Sequence, residues 1–196
     1  MGIIKTAAEI AKEKLEKIGE PTEEERLKWK YGSEGEKLAA LYIKEDVNLA
    51  SEVGKFEEKA RKIITSGIND ILLRNISLPH TEAARKTNKK AMDGLKALKK
   101  DKAAVENVFS RMRHVLDHYT QEGAKQKKQA YESLKAEFEA KVQEAVRQQT
   151  GVNAKMNIDI ESQPQFKEEW QRLQAQMESQ YSKLLDDYKK ELVAIE

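Results

Sequence analysis

Apolar residues recur at spacings of three and four along most of this chain, and the places where that rhythm breaks divide it into predicted helices. Ile4, Ala7, Ala8, Ala11, Leu15 and Ile18 form one stripe, so residues 3–18 are expected to make an amphipathic helix. Gly19 fits its C-terminal cap and Pro21 keeps it from continuing. Thr22, followed three residues later by Glu25, is the signature of a capping box. It opens a helix to about Lys44 with Leu27, Tyr31, Leu38 and Leu41 on its apolar side. Gly32 and Gly35 weaken that helix by about 1 kcal/mol each relative to alanine. "KEDVN" is a loop. The widest stripe follows, comprising Val53, Phe56, Ala60, Ile63, Ile64, Gly67, Ile68, Ile71 and Leu72. It predicts one helix over residues 49–74 at the centre of an N-terminal bundle. Pro79 lies beyond its end, and Thr81 caps a helix to Leu98 that buries Ala84, Ala91, Leu95 and Leu98.

Two long helices complete the chain. One is predicted over residues 103–150, with Gly151 at its C-terminal cap. The other starts at Ser162 or Gln163, with Pro164 in its first turn, and runs nearly to the C-terminus. Along it Phe166, Trp170, Leu173, Met177, Tyr181, Leu184, Tyr188, Leu192 and Ile195 are spaced 4, 3, 4, 4, 3, 4, 4, 3, an eleven-residue repeat. Val105, Phe109, Met112 and Leu116, and later Tyr131, Leu134, Phe138, Val142 and Ala145, keep the same phase. Between these two blocks the in-phase positions Thr120, Gly123 and Lys127 are polar or small. An eleven-residue repeat has about 3.67 residues per turn, close to the helix's own value, so the pair is expected to be nearly straight. The expectation is an antiparallel hairpin. Its second helix, roughly 45 Å long at about 1.5 Å per residue, would end opposite Tyr119. The part of the first helix over 105–116 would then pack on the N-terminal bundle.

The bend between those helices has a different period. Val152, Ala154, Met156, Ile158 and Ile160 alternate with Asn153, Lys155, Asn157, Asp159 and Glu161, which is the period of a strand. Its apolar side either closes over the helix ends or offers an edge to a second copy or a partner's strand. A contact surface at Val152, Met156, Ile158 and Ile160 is expected. The fold class is therefore all-α: an elongated helical bundle over residues 1–100 and a long antiparallel, coiled-coil-like hairpin over 101–196, with one short extended segment at the bend. The two parts are expected to pack together or to form one continuous domain.

Composition narrows the function classes. Of 196 residues, 36% are charged and 39% apolar, which suits long helices with narrow seams. A formal net charge of +2 gives the whole chain no polyanion-binding character. The absence of cysteine excludes disulfides, thiolate metal sites and a cysteine nucleophile, and fits a reducing compartment. No apolar run approaches the roughly 18 residues that span a membrane. "MGIIKT" fits the short myristoylation pattern through Gly2 and Thr6, but also an ordinary initiator Met-Gly on an amphipathic helix, which is the reading taken. "GIIKTAAEIA", "LLRNISLP", and "QQTG" followed by "FKEEWQRL" resemble an uncharacterised bacterial family of helical, coiled-coil-like proteins. The resemblance implies a bacterial cytoplasmic protein and carries no activity, cofactor or residue role with it.

Two stretches hold candidate chemistry. His114 and His118 are four apart in "RHVLDH", a spacing that lets two imidazoles on one helix face reach one metal ion. His114 lies roughly opposite the Met112 and Leu116 seam, and no third ligand is apparent, so solvated histidines are the simpler reading. Residues 81–102 hold eight Lys or Arg against Glu82, Asp93 and Asp101, a net of +5. Arg85, Lys86, Lys89, Lys90, Lys96, Lys99 and Lys100 could follow a phosphate backbone, although no aromatic residue is there to stack bases. Trp29 and Trp170 are expected to pack. There is no Gly-rich phosphate loop, no nucleophile beside a base and no carboxylate pair in an apolar pocket. The chain is therefore expected to be a non-enzymatic structural, adaptor or assembly protein without a cofactor. It would act through a protein partner or self-association, with a nucleic-acid or ribosome-associated factor as the alternative and metal binding behind that.

Overall fold

The computed structural model of the chain describes residues 21–45, 47–150 (side chains through 148) and 159–195. Every regular element among them is helical. The helix expected over 3–18, Gly151, and the alternating segment at Val152, Met156 and Ile158 lie outside the described residues. The chain divides into two compact units, one ending at Arg74 and the other beginning at Asn75.

The first unit holds α1 (Glu23–Lys44), α2 (Leu49–Gly54) and most of α3 (Glu58–Asn75). The capping box is formed as expected: Glu25 N–H donates to Thr22 Oγ1 at 3.2 Å, and Thr22 N–H donates to the Glu25 carboxylate at 2.7 Å. Three glutamates in the first turn favour the positive end of the helix dipole. The single helix predicted over 49–74 is two helices. Gly54 ends α2, and Arg61 reaches back from α3 to hold the break, donating to the carbonyls of Phe56 at 2.6 Å and Gly54 at 2.8 Å. The periodicity runs through this break because Val53 is buried and Phe56 packs edge-on against Tyr31, 6.0 Å between ring centres. α1 and α3 touch backbone to backbone. A Cβ at Gly35 would collide with the Ile64 carbonyl oxygen and stand 3.0 Å from Gly67 Cα. Gly35 is thus a contact point, whereas Gly32 has nothing within 4 Å of its missing Cβ. Trp29, expected to pack, is 75% exposed.

The second unit holds α4 (Glu82–Leu98), α5 (Lys102–His118), a π-helical turn (Tyr119–Gly123), α6 (Ala124–Thr150) and α7 (Pro164–Ala194). Thr81 and Asp101 cap α4 and α5 through the amides of Ala84 and Ala104. Asn88, buried in α4, binds both the N–H and the carbonyl of Ser77, at 3.0 and 2.7 Å. That double bond fixes the segment leading to Pro79. α5 packs against both α4 and α7, and α6 packs against α7.

α7 runs antiparallel to the long helix before it. Phe166 and Trp170 pack on Tyr131, Tyr181 lies against Gly123, Glu191 pairs with Arg111, and Lys99 donates to the Ile195 carbonyl. The hairpin therefore does not end opposite Tyr119. Ile160 (3% exposed) and Phe166 are buried with Leu134, well before the Thr150 end of α6, so α7 begins alongside the middle of α6 and continues along α5. The face of α5 expected to need the N-terminal bundle is shared by α4 and α7 within this unit.

The seam also departs from the eleven-residue repeat. Leu184 is 46% exposed, while Leu185 is 2% exposed and takes its place. The π turn lies close by, against Tyr181. One surplus residue in a helix rotates everything beyond it by about 100°. On α7 the change is confined to that one position, since Tyr188, Leu192 and Ile195 beyond it keep the phase of the repeat.

Candidate functional site

The π turn lies in "DHYTQEG", where the seam loses its large apolar residues. Thr120 Oγ1 bonds back to the Asp117 carbonyl at 3.0 Å, a local alternative to the regular helix ladder. At Gly123 the lack of a side chain admits the Tyr181 hydroxyl, which would lie 3.3 Å from a Cβ there. The polar side chains that gather at this turn come from three other places: the segment before α4, the first turn of α6, and the middle of α7.

Tyr119 is the hub. Its hydroxyl donates to the Glu178 carboxylate at 2.9 Å and lies 3.0 Å from His80 Nδ1. The phenol has one proton and gives it to Glu178, so the proton of the second bond resides on His80 Nδ1. The His80 and Tyr119 rings meet edge to face at 5.7 Å, and Tyr119 and Tyr181 at 5.2 Å. Tyr181 in turn bonds His118 Nδ1 at 3.0 Å. Glu178 also accepts from Gln174 at 3.4 Å and Lys127 at 3.5 Å. Burial by itself raises the Glu178 carboxyl, but the hydrogen bonds from Tyr119 and Gln174 and the charges of His80 and Lys127 outweigh it and hold the group below its ordinary value. Tyr119 is pushed the other way, above the usual phenol range, by burial first and then by the neighbouring Glu178 carboxylate. Beside this network opens a cleft of about 350 Å³, whose walls include His80, Glu82, Arg85, Tyr119, Thr120 and Lys127.

The residues singled out from the sequence are distributed differently. His118 belongs to the rim of this network, while His114 is exposed on α5. Among the described residues no group of three His, Asp or Glu is placed to hold a metal ion. The basic face of α4 is divided. Lys96 pairs with Glu106 of α5, which also binds Arg113. Lys99 turns inward onto the Ile195 carbonyl, and burial pushes its ammonium pKa down. Arg85, Lys86, Lys89 and Lys100 are exposed, and Lys90 is half-buried. Ile160, expected at a partner surface, is part of the chain's own core. Sequence reasoning passed over His80, Tyr119 and Glu178. The available signal was the set of polar in-phase positions between two apolar blocks, Thr120, Gly123 and Lys127.

A family model described as a family of unknown function, DUF6657, matches residues 50–194. The chain belongs to DUF6657. The match takes in the whole π-turn network, and it bears out the likeness to an uncharacterised family. No curated protein and no solved structure matches this DUF6657 chain.

Proposed function

We propose that the protein works without catalysis, as a structural, adaptor or assembly component that makes its contacts through the helix faces of its C-terminal unit. The observation that supports this reading is the thinness of the α6–α7 seam. In the 31 residues of α7 only Phe166, Leu185 and Leu192 are buried. Leu134 is the one buried side chain of α6 among residues 124–148. A helix pair that encloses so little leaves most of its length as surface. Its ion pairs, such as Arg172 with Glu169 and Lys190 with Asp187, are exposed and screened by solvent. Charges arranged this way contribute little to stability and are free to set partner register.

The test is a pull-down of the tagged chain from its native lysate, divided in two, with one half treated with nuclease. The expected result is a small set of proteins that persists after nuclease. A bound set that is ribosomal or nucleic-acid-linked and is lost with nuclease would overturn the adaptor reading in favour of the exposed Arg85, Lys86, Lys89 and Lys100.

A further inference from the structure

The geometry points to the cleft beside the π turn as a binding site for a small organic oxyanion, a carboxylate or a phosphate monoester, with Arg85 and Lys127 as its charged contacts. Three observations lead there. The first is the π turn itself, a backbone irregularity that recurs at functional sites. It displaces the following helix by one residue, and that displacement puts Tyr119 and Lys127 around one opening.

The second is that the floor is already organised. Tyr119 is held between His80 and Glu178, and Glu178 has further partners in Gln174 and Lys127. The acidic group is satisfied mainly by Tyr119 and Gln174 and draws on only one proton of Lys127, at 3.5 Å. Such support is what keeps first-contact side chains in place for a ligand.

The third is unused donor capacity on the wall. Arg85 carries five N–H donors, and its one ion pair among the described residues is with Glu82 at 4.0 Å, too long for a hydrogen bond. Lys127 is 3.5 Å from Glu178, at the limit of a bond, and has two further protons to offer. A planar guanidinium and a mobile ammonium across one opening suit the oxygens of a carboxylate or phosphate. The space of about 350 Å³ exceeds a bare anion and leaves room for an organic body.

The experiment titrates the full-length protein with inorganic phosphate and, separately, with acetate, at constant ionic strength in chloride. The His80 ring resonances and the amides of residues 119–123 are followed by NMR. A saturable shift of these signals with either anion and not with chloride is expected. Saturation by phosphate alone assigns a phosphate ligand, and by acetate alone a carboxylate. Arg85→Gln, which leaves the Tyr119–Glu178 network untouched, is expected to weaken binding about tenfold, the effect of one charge-assisted contact. Lys86→Gln removes the same charge one residue away from the cleft and is expected to leave affinity unchanged. The inference is overturned by shifts that stay linear, by chloride acting equally, or by Arg85→Gln and Lys86→Gln weakening binding alike.

Discussion

Single residues in this protein owe their importance to what stands next to them. Gly32 and Gly35 are three apart on one helix and carry the same propensity cost, yet only at Gly35 would an added side chain meet another backbone. Gly32→Ala is expected to stabilise the protein by about 0.5–1 kcal/mol, because it removes a helix-interior glycine in open space. Gly35→Ala is expected to cost about 1–3 kcal/mol, because α1 and α3 must part to admit the methyl group. Urea denaturation of the two variants checks the pair, and equal effects would mean that the helices do not touch there. Glu178 gives a pH signature. Its folded-state pKa is depressed, so its contribution is present above the unfolded value, about 4.3, and is lost as pH falls through the folded value. The melting temperature of the wild type is expected to drop more steeply between about pH 5 and pH 3 than that of Glu178→Gln. Parallel curves would remove Glu178 from the account. Capping residues such as Thr22 and Thr81 were legible in the sequence because a cap is a matter of two or three neighbours, whereas the cap at Asp101 emerged only in the structure. Tyr119 and Glu178 were not, since they lie 59 positions apart.

At the scale of elements, the π turn and a single exchanged position on α7 are the two departures from the eleven-residue repeat. The eleven-residue repeat assigns Leu184 to the seam, and the structure assigns Leu185. Leu185→Ala is therefore expected to cost about 2–4 kcal/mol, and Leu184→Ala within about 0.5 kcal/mol of zero. Thermal melts of both variants decide it, and the reverse order would restore the unbroken repeat. The existence of the long helices was legible from periodicity, as were the bounds Glu23–Lys44 and the cap at Thr81. The break after Gly54 was not, because the stripe runs through it and an arginine seven residues on holds it. Periodicity reports which side of a helix is apolar, and it cannot count a surplus residue absorbed inside the helix.

For the molecule as a whole, the composition and the absence of any helix long and apolar enough to cross a membrane, among the described residues, agree with narrow-seamed helices. Among the described residues many ion pairs join side chains three or four residues apart, such as Lys37 with Glu34 and Lys28 with Glu24, which any helical sequence of this pattern would form. The sequence by itself determined the all-α class, the caps at Thr22 and Thr81 and the apolar stripes, because these depend on contacts within one or two helical turns. Only the tertiary structure decided which way each stripe faces, that Lys96 and Lys99 turn inward from a face that looked uniformly solvated, that Ile160 closes the chain's own core, and that His80, Tyr119, Lys127 and Glu178 meet. The physical reason is the same each time. These outcomes depend on the surface a helix meets across space, and that surface is set by residues tens of positions away.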